Sequence, residues 1–188
     1  MVTWTMKKIL ILNAAPRKEG NTAALVKAFT KGTIEAGNEV KEIYLQDKTI
    51  HGCLSCNACR KGKSRFCIQH DDMDEIYPAF CEADVIVFAT PVYFSGINGI
   101  LKVVNDRLFA LWAKNDGSAQ NKESVLLITS NMGMIEQPLM WYRQFMQYSG
   151  WKNLGVVSGG GSPYGLFTVD DREAVRQAEQ LGRTIING

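Results

Sequence analysis

Long hydrophobic runs are missing from this chain. No apolar stretch approaches the roughly 20 residues that a membrane-spanning helix needs. The N-terminus, Met1 to Lys8, lacks the charged-then-apolar order of a secretory leader. Its only nearby apolar run, Ile9-Leu10-Ile11-Leu12, is shorter than an h-region of about 7–15 residues. A cytoplasmic protein is therefore expected. Charge of one sign is also scarce: a formal net charge of +2 provides no field to hold a nucleic acid or to adsorb to a membrane surface. Internal repeats, low-complexity tracts and linkers are absent. Residues 1–188 are thus expected to form one domain, large enough to bury a substantial core.

Disulfide chemistry is poorly served as well. There are five cysteines, an odd number, and cytosolic thiols are kept reduced. Yet four of the five crowd into "HGCLSCNACRKGKSRFC", residues 51–67, as Cys53, Cys56, Cys59 and Cys67. Metal ligands or a redox dithiol remain, and the surrounding chain has to distinguish them.

The hydrophobic pattern alternates between strand and helix. "KILILN", Lys8 to Asn13, reads as a buried parallel strand. A turn around Pro16 and Gly20 follows, with Asn21 and Thr22 as caps for a helix over Ala23–Ala36 that carries Leu25, Val26, Phe29 and Ile34 and stops at Gly37-Asn38. Further strands are expected at Val40–Leu45, Asp84–Thr90, Ser124–Ser130 and Leu154–Val157. Helices are expected from Asp71 or Asp72 through Phe80, and over Ile100–Trp112, Glu136–Tyr148 and Asp170–Ile186. Five strands alternating with helices imply an α/β, doubly wound parallel sheet with helices on both faces, and a cysteine-rich loop inserted at about 50–70. Ligands of such sheets bind at the carboxyl ends of the strands.

The loops at those ends carry binding chemistry. "AAPRKEGNT" brings Arg17 and Lys18 and opens a helix at Gly20, Asn21 and Thr22, whose backbone N–H groups favour an anion such as phosphate. It lacks the Gly-Lys-Ser/Thr ending of a P-loop; the plain alternative is a capped, solvated turn. "TPVYFSGING" supplies Tyr93 and Phe94, with Gly96 and Gly99 allowing close backbone approach. Amides beside a ring suit a planar heterocycle, although both aromatics are equally suited to closing the core. "TSNMGMIEQP" is compatible with a ligand wall. "SGGGSPYG" is glycine-rich, but a dinucleotide fingerprint belongs after the first strand.

"NAAPRKEGNT" resembles the phosphate loop of the flavodoxin-like NAD(P)H-dependent FMN reductases. "ATPVYFSGINGILKVVNDR" is similar to their Ser/Thr-Pro-Val-Tyr-Phe segment with its trailing Leu-Lys and Asp-Arg, and the four cysteines followed by "IQHDDM" resemble the iron–sulfur flavoprotein branch. The resemblance implies a flavodoxin-like fold and bound FMN. Pro16, Arg17, Asn21 and Thr22 would hold the phosphate; Pro91, Val92, Tyr93 and Phe94 would line the flavin ring, with Gly96 beside it. Ala14-Ala15 stands where the family has Gly-Ser, so one serine hydroxyl to the phosphate is lost.

The C-x2-C-x2-C-x7-C spacing of Cys53, Cys56, Cys59 and Cys67 suits iron presented with ferredoxin-like economy, whereas structural zinc usually uses two separated pairs. Arg60, Lys61, Lys63 and Arg65 between the last two cysteines, with His51 before the first, favour thiolates and offset a negatively charged cluster. The resemblance is to members holding a [4Fe–4S] cluster; zinc and a redox-active thiol loop stay open. Cys81 is read as a buried core cysteine. Lys102 and Asp106 can pair, and with Arg107 they are read as structural rather than catalytic.

The expected function is an FMN-dependent oxidoreductase or electron-transfer flavoprotein coupling FMN to the cluster. The donor would be ferredoxin or NAD(P)H, and the acceptor a quinone, oxygen or peroxide; neither nucleic acid nor membrane is a partner. The alternatives are a cluster-free NAD(P)H-dependent FMN or quinone reductase, and a non-enzymatic redox carrier or thiol sensor. Trp141, Phe145 and Tyr148 fall on one helical face, in a core or at a subunit interface. The resemblance implies a homodimer or homotetramer.

Overall fold

The computed structural model describes residues 6–62, 64–114, 116–160 and 172–186. The chain runs β1 (Lys8–Asn13), α1 (Asn21–Glu35), β2 (Glu39–Tyr44), α2 (Met73–Glu82), β3 (Val85–Tyr93), β4 (Gly96–Ile97), α3 (Gly99–Lys114), β5 (Glu123–Thr129), α4 (Glu136–Ser149), β6 (Lys152–Gly159) and α5 (Arg172–Arg183). A short 3-10 turn, Leu45–Asp47, follows β2. The sheet order is β2-β1-β3-β5-β6, with all four of these pairings parallel. The two-residue β4 only folds back antiparallel onto the end of β3. Setting it aside leaves the flavodoxin-type order, with its switch point between β1 and β3.

Alternation along the strands builds two cores. Ile9 and Ile11 of β1, Val85 and Val87 of β3, and Val125 and Leu127 of β5 face α1 and α5. Leu10, Leu12, Ile86, Phe88, Leu126 and Ile128 face the other way, onto α2, α3 and α4. Both faces of the central strands are dry, which is why they read as continuous apolar runs rather than alternating ones. Each such side chain contributes roughly 1.5–3 kcal/mol of burial.

Several elements depart from the expected pattern, each for a local reason. β3 extends to Tyr93 and β4 pairs with it, so "PVYFSGING" is a hairpin rather than an open loop; Phe94 and Ser95 turn it with φ of 46° and 64°. Edge strand β6 is longer than Leu154–Val157, because its exposed residues hide its extent. Helix α1 begins at Asn21, making Gly20 the N-cap, with no side-chain hydrogen bond to the first turn. Ile34 is exposed, since α1 turns Gly32 and Thr33 toward α5 instead. Helix α4 buries Pro138, Tyr142 and Met146; of the face expected from Trp141, Phe145 and Tyr148, the first two are half-buried against the same core and Phe88, and Tyr148 is exposed. Helix α5 ends at Arg183, short of Ile186, and the expected start at Asp170 lies outside the described residues. Among the described residues, no helix is long and apolar enough to cross a membrane.

Candidate functional site

The carboxyl ends of β1, β3 and β5 open onto a cavity of about 420 Å³, within the range of small-molecule sites. Its first wall is the turn after β1. Buried Asn13 shapes that turn: its Oδ1 accepts from Ala15 N at 2.9 Å, while its Nδ2 donates to Glu42 Oε1 at 2.8 Å. Pro16, Arg17, Asn21 and Thr22 all line the cavity. The Arg17 guanidinium lies beside the N-cap: a Cβ on Gly20 would stand 3.5 Å from its Nε. The first turn of α1 contains no acidic residue, so a cation, a helix dipole and the first-turn amides combine there, an arrangement that attracts an anion. Lys18 does not join them. It pairs with Asp47 at 2.9 Å and lies over the Tyr44 ring, and the Asp47 hydrogen bond holds its pKa above the ordinary value.

The second wall is the β3–β4 hairpin. Pro91, Val92, Tyr93 and Phe94 line the cavity, joined by Ser95. Gly96 is not a lining residue; it pairs with Tyr93 in the hairpin. Tyr93 is half-exposed and Phe94 is fully exposed. The hairpin is pinned from behind, because Asn98 N donates to Thr90 Oγ1 at 2.9 Å and Asn98 Oδ1 accepts from Ile100 N at 3.0 Å, capping α3. The third wall, from Thr129 to Met132 with Met134, comes from the loop after β5. Thr129 opens the "TSNMGMIEQP" segment that was expected as a ligand wall, but its pairing was not foreseen. Its hydroxyl lies 2.6 Å from the Thr22 hydroxyl, a contact across more than a hundred residues that local patterns do not reveal. The glycine-rich segment after β6 lies largely outside the described residues.

The cysteines occupy the loop between β2 and α2. Cys53 and Cys56 are exposed, whereas Cys59 and Cys67 are half-buried against the α2/α3 core. Ser55 and Asn57 take left-handed backbone, with φ of 53° and 55°, and Ser55 N donates to Cys53 Sγ at 3.5 Å. The four thiols share one loop, and their chemistry is that of an iron or zinc donor set. Among the described residues, however, no three His, Cys, Asp or Glu side chains converge as a bound metal requires. Two of the cations expected to attend the thiols are engaged elsewhere: Arg60 lies over Phe109 and Arg65 over Phe66. Phe66 itself stacks on Tyr77, 4.9 Å between ring centres. Cys81 is half-buried rather than fully buried.

Lys102 and Asp106 pair at 2.6 Å on the surface of α3. Their neighbour Arg107 turns inward and is buried. Its Nη1 donates to His51 O and Asp71 Oδ2, both at 2.7 Å, and its Nη2 donates to Asp71 Oδ1 at 3.2 Å and Gln69 O at 3.5 Å. Asp71 or Asp72 is expected to cap α2; Asp72 is the N-cap residue, without a side-chain bond to the first turn, and Asp71, one residue before it, accepts from Met73 N at 3.0 Å and from His51 N at 2.9 Å. Burial pushes the Asp71 carboxyl up, but Arg107 and the amides of His51 and Met73 outweigh it and hold the pKa below the ordinary 3.8. Burial likewise opposes the Arg107 charge, and the Asp71 hydrogen bonds more than restore it, so Arg107 is held above its ordinary value.

A flavodoxin-type sheet thus sets a basic helix-start turn opposite an aromatic hairpin across one cavity, at the strand ends where ligands of such sheets bind. Known proteins agree. The family model for NADPH-dependent FMN reductase matches residues 7–160. An iron-sulfur flavoprotein of Archaeoglobus fulgidus is 30% identical over 187 residues, covering 96% of this chain and 79% of that protein. One from Methanocaldococcus jannaschii is 41% identical over 101 residues, 53% of this chain. That match spans about half, 51%, of the Methanocaldococcus protein's length. Among solved structures, an NAD(P)H:quinone oxidoreductase from Methanothermobacter marburgensis has the same fold, with a TM-score of 0.71 at 19% identity, over 95% of this chain and 96% of that one. The chain belongs to the NADPH-dependent FMN reductase family, within its iron-sulfur flavoproteins.

Proposed function

We propose that this protein is a cytoplasmic FMN-dependent oxidoreductase that mediates between two-electron and one-electron partners. FMN would occupy the strand-end cavity, and a [4Fe–4S] cluster would be held by Cys53, Cys56, Cys59 and Cys67. The observation that carries the reading is the cavity itself, in which Arg17 and the N-terminus of α1 face the Pro91–Ser95 hairpin. Arg17 and the first-turn amides would bind the phosphate, supported by the Thr22–Thr129 hydroxyl pair. Pro91 to Phe94 would orient the ring and shield one side of it from water. When bound, FMN exchanges hydride or single electrons and a cluster exchanges single electrons, which is the chemistry such a protein positions.

For the cluster, the donor set is right and its present spread is not. Cys59 and Cys67 are seated on the core, so iron loading would draw the exposed Cys53 and Cys56 toward them. The names of the relatives support this reading. The donor is NAD(P)H or ferredoxin, the acceptor a quinone, oxygen or peroxide, and the assembly a homodimer or homotetramer of single-domain chains. The separated thiols favour one second reading, a cluster-free NAD(P)H-dependent reductase. Stopped-flow reduction of the FMN-loaded, iron-reconstituted protein tests the proposal. Flavin bleaching by NADPH or by reduced ferredoxin, followed by reoxidation with a quinone, is expected; a flavin inert to both donors would overturn it.

A further inference from the structure

Arg107 heads the largest side chains that are fully buried, and no step of the proposed chemistry uses it. Desolvating a guanidinium is costly; four hydrogen bonds from Nη1 and Nη2 offset that cost, while the buried Nε has no partner among the described residues. All four hydrogen bonds of the Arg107 guanidinium go to the two segments that enter and leave the cysteine loop. His51 stands two residues before Cys53, Gln69 two residues after Cys67, and Asp71 follows at the start of α2. Around this centre the neck is laced shut: Thr49 N donates to Asp72 Oδ2 at 2.6 Å, Asp72 N to Thr49 O at 3.2 Å, and Gln69 Nε2 to Gly52 O at 3.1 Å. Tyr77 adds a further tie, donating from its hydroxyl to Arg107 O at 3.0 Å while its ring carries Phe66, the residue before Cys67.

The other end of the same helix belongs to the cavity. Asn98 caps α3 and is bonded to Thr90, so the start of α3 is fixed to the hairpin wall. Arg107 stands about 12 Å further along that rigid element. We infer that Arg107 is a positioning residue for the thiol loop: it holds the flanks of Cys53 and Cys67 together and fixes both to the helix that leaves the flavin cavity. This rests on the thiol loop being a metal site. The loop's outer half lacks packing of its own, since Cys53 to Asn57 are exposed, so a closed neck is what limits how far the four thiols can separate. A lysine cannot replace the guanidinium, since a single ammonium does not span a carboxylate and two carbonyls as the planar fork does.

The test uses reduced, metal-free full-length protein titrated anaerobically with Co²⁺, read by thiolate-to-cobalt charge-transfer absorption, alongside the rate of tryptic cleavage after Arg60, Lys61 and Arg65. The main variant is Arg107→Met with Asp71→Leu, which leaves no unpaired charge in the core. It is expected to melt cooperatively and bind FMN as the wild type does, to bind Co²⁺ roughly 10–100-fold more weakly, and to be cut faster in the loop. If it does not fold, Arg107→Lys carries the same expectations. A folded variant with wild-type cobalt affinity and wild-type cleavage overturns the inference. Wild-type protein that gives no thiolate–cobalt absorption overturns the metal-site reading itself, and the positioning role with it, a result distinguishable because it appears before any substitution is made.

Discussion

In the proposed function, Arg17 is the residue on which the anion end of the cavity depends. It is the cavity-lining cation beside the α1 N-terminus, Lys18 being committed to Asp47. A charge-assisted hydrogen bond is worth about 1.5–3 kcal/mol, so Arg17→Ala should weaken FMN roughly 10–100-fold, read by quenching of flavin fluorescence, with the melting temperature of the apoprotein unchanged. Asp71 makes a different prediction. Its folded pKa is depressed, so the stability it contributes is fully present above 3.8 and is lost as pH falls through the lower folded value. Urea unfolding between pH 5 and 2 should show this acid limb, and Asp71→Asn should flatten it. The same substitution removes one partner of a buried pair, at about 3–5 kcal/mol. At this scale the sequence was partly legible. Pro16, Arg17, Asn21 and Thr22 could be named because an anion loop is local in sequence, and they do share one cavity. The Thr22–Thr129 pairing and the contacts of Arg107 escaped because both depend on residues brought together by the fold.

Among the elements, the α1–α5 contact shows most plainly what packing adds to pattern. The two helices meet through glycines. A Cβ on Gly32 would lie 2.0 Å from Glu179 O, and one on Gly182 would lie 2.4 Å from Phe29 O. Both are clashes with backbone, which cannot rotate away. Gly32→Ala or Gly182→Ala should therefore destabilise by about 1–3 kcal/mol or more, measured by thermal or urea unfolding, even though alanine is the better helix former. Apolar periodicity placed α1 but assigned Ile34 to the buried face, because it counts hydrophobic residues and not distances of approach. Strand identity was far more legible. Val85 to Pro91 is buried throughout, and a run of that kind has few alternatives. The hairpin after β3 was not legible, since Phe94 and Ser95 are uncommon residues for a turn that needs positive φ.

For the whole molecule, the fold brings two features of unlike character onto one frame. The strand-end cavity is walled by three loops whose bases are buried and hydrogen-bonded. The thiol loop is fastened at its neck and at Phe66, while Cys53 and Cys56 remain exposed. Arg107 on α3 joins the two, so disturbing the neck should change the thiols without changing FMN affinity. The central claim is that one chain holds both cofactors. Its most direct test is an absorption spectrum of anaerobically purified protein, with FMN, iron and sulfide assayed on the same sample. The account predicts flavin bands over a broad iron–sulfur shoulder, with about one FMN and four irons per chain. Flavin bands without iron or sulfide, persisting after anaerobic reconstitution, would contradict it.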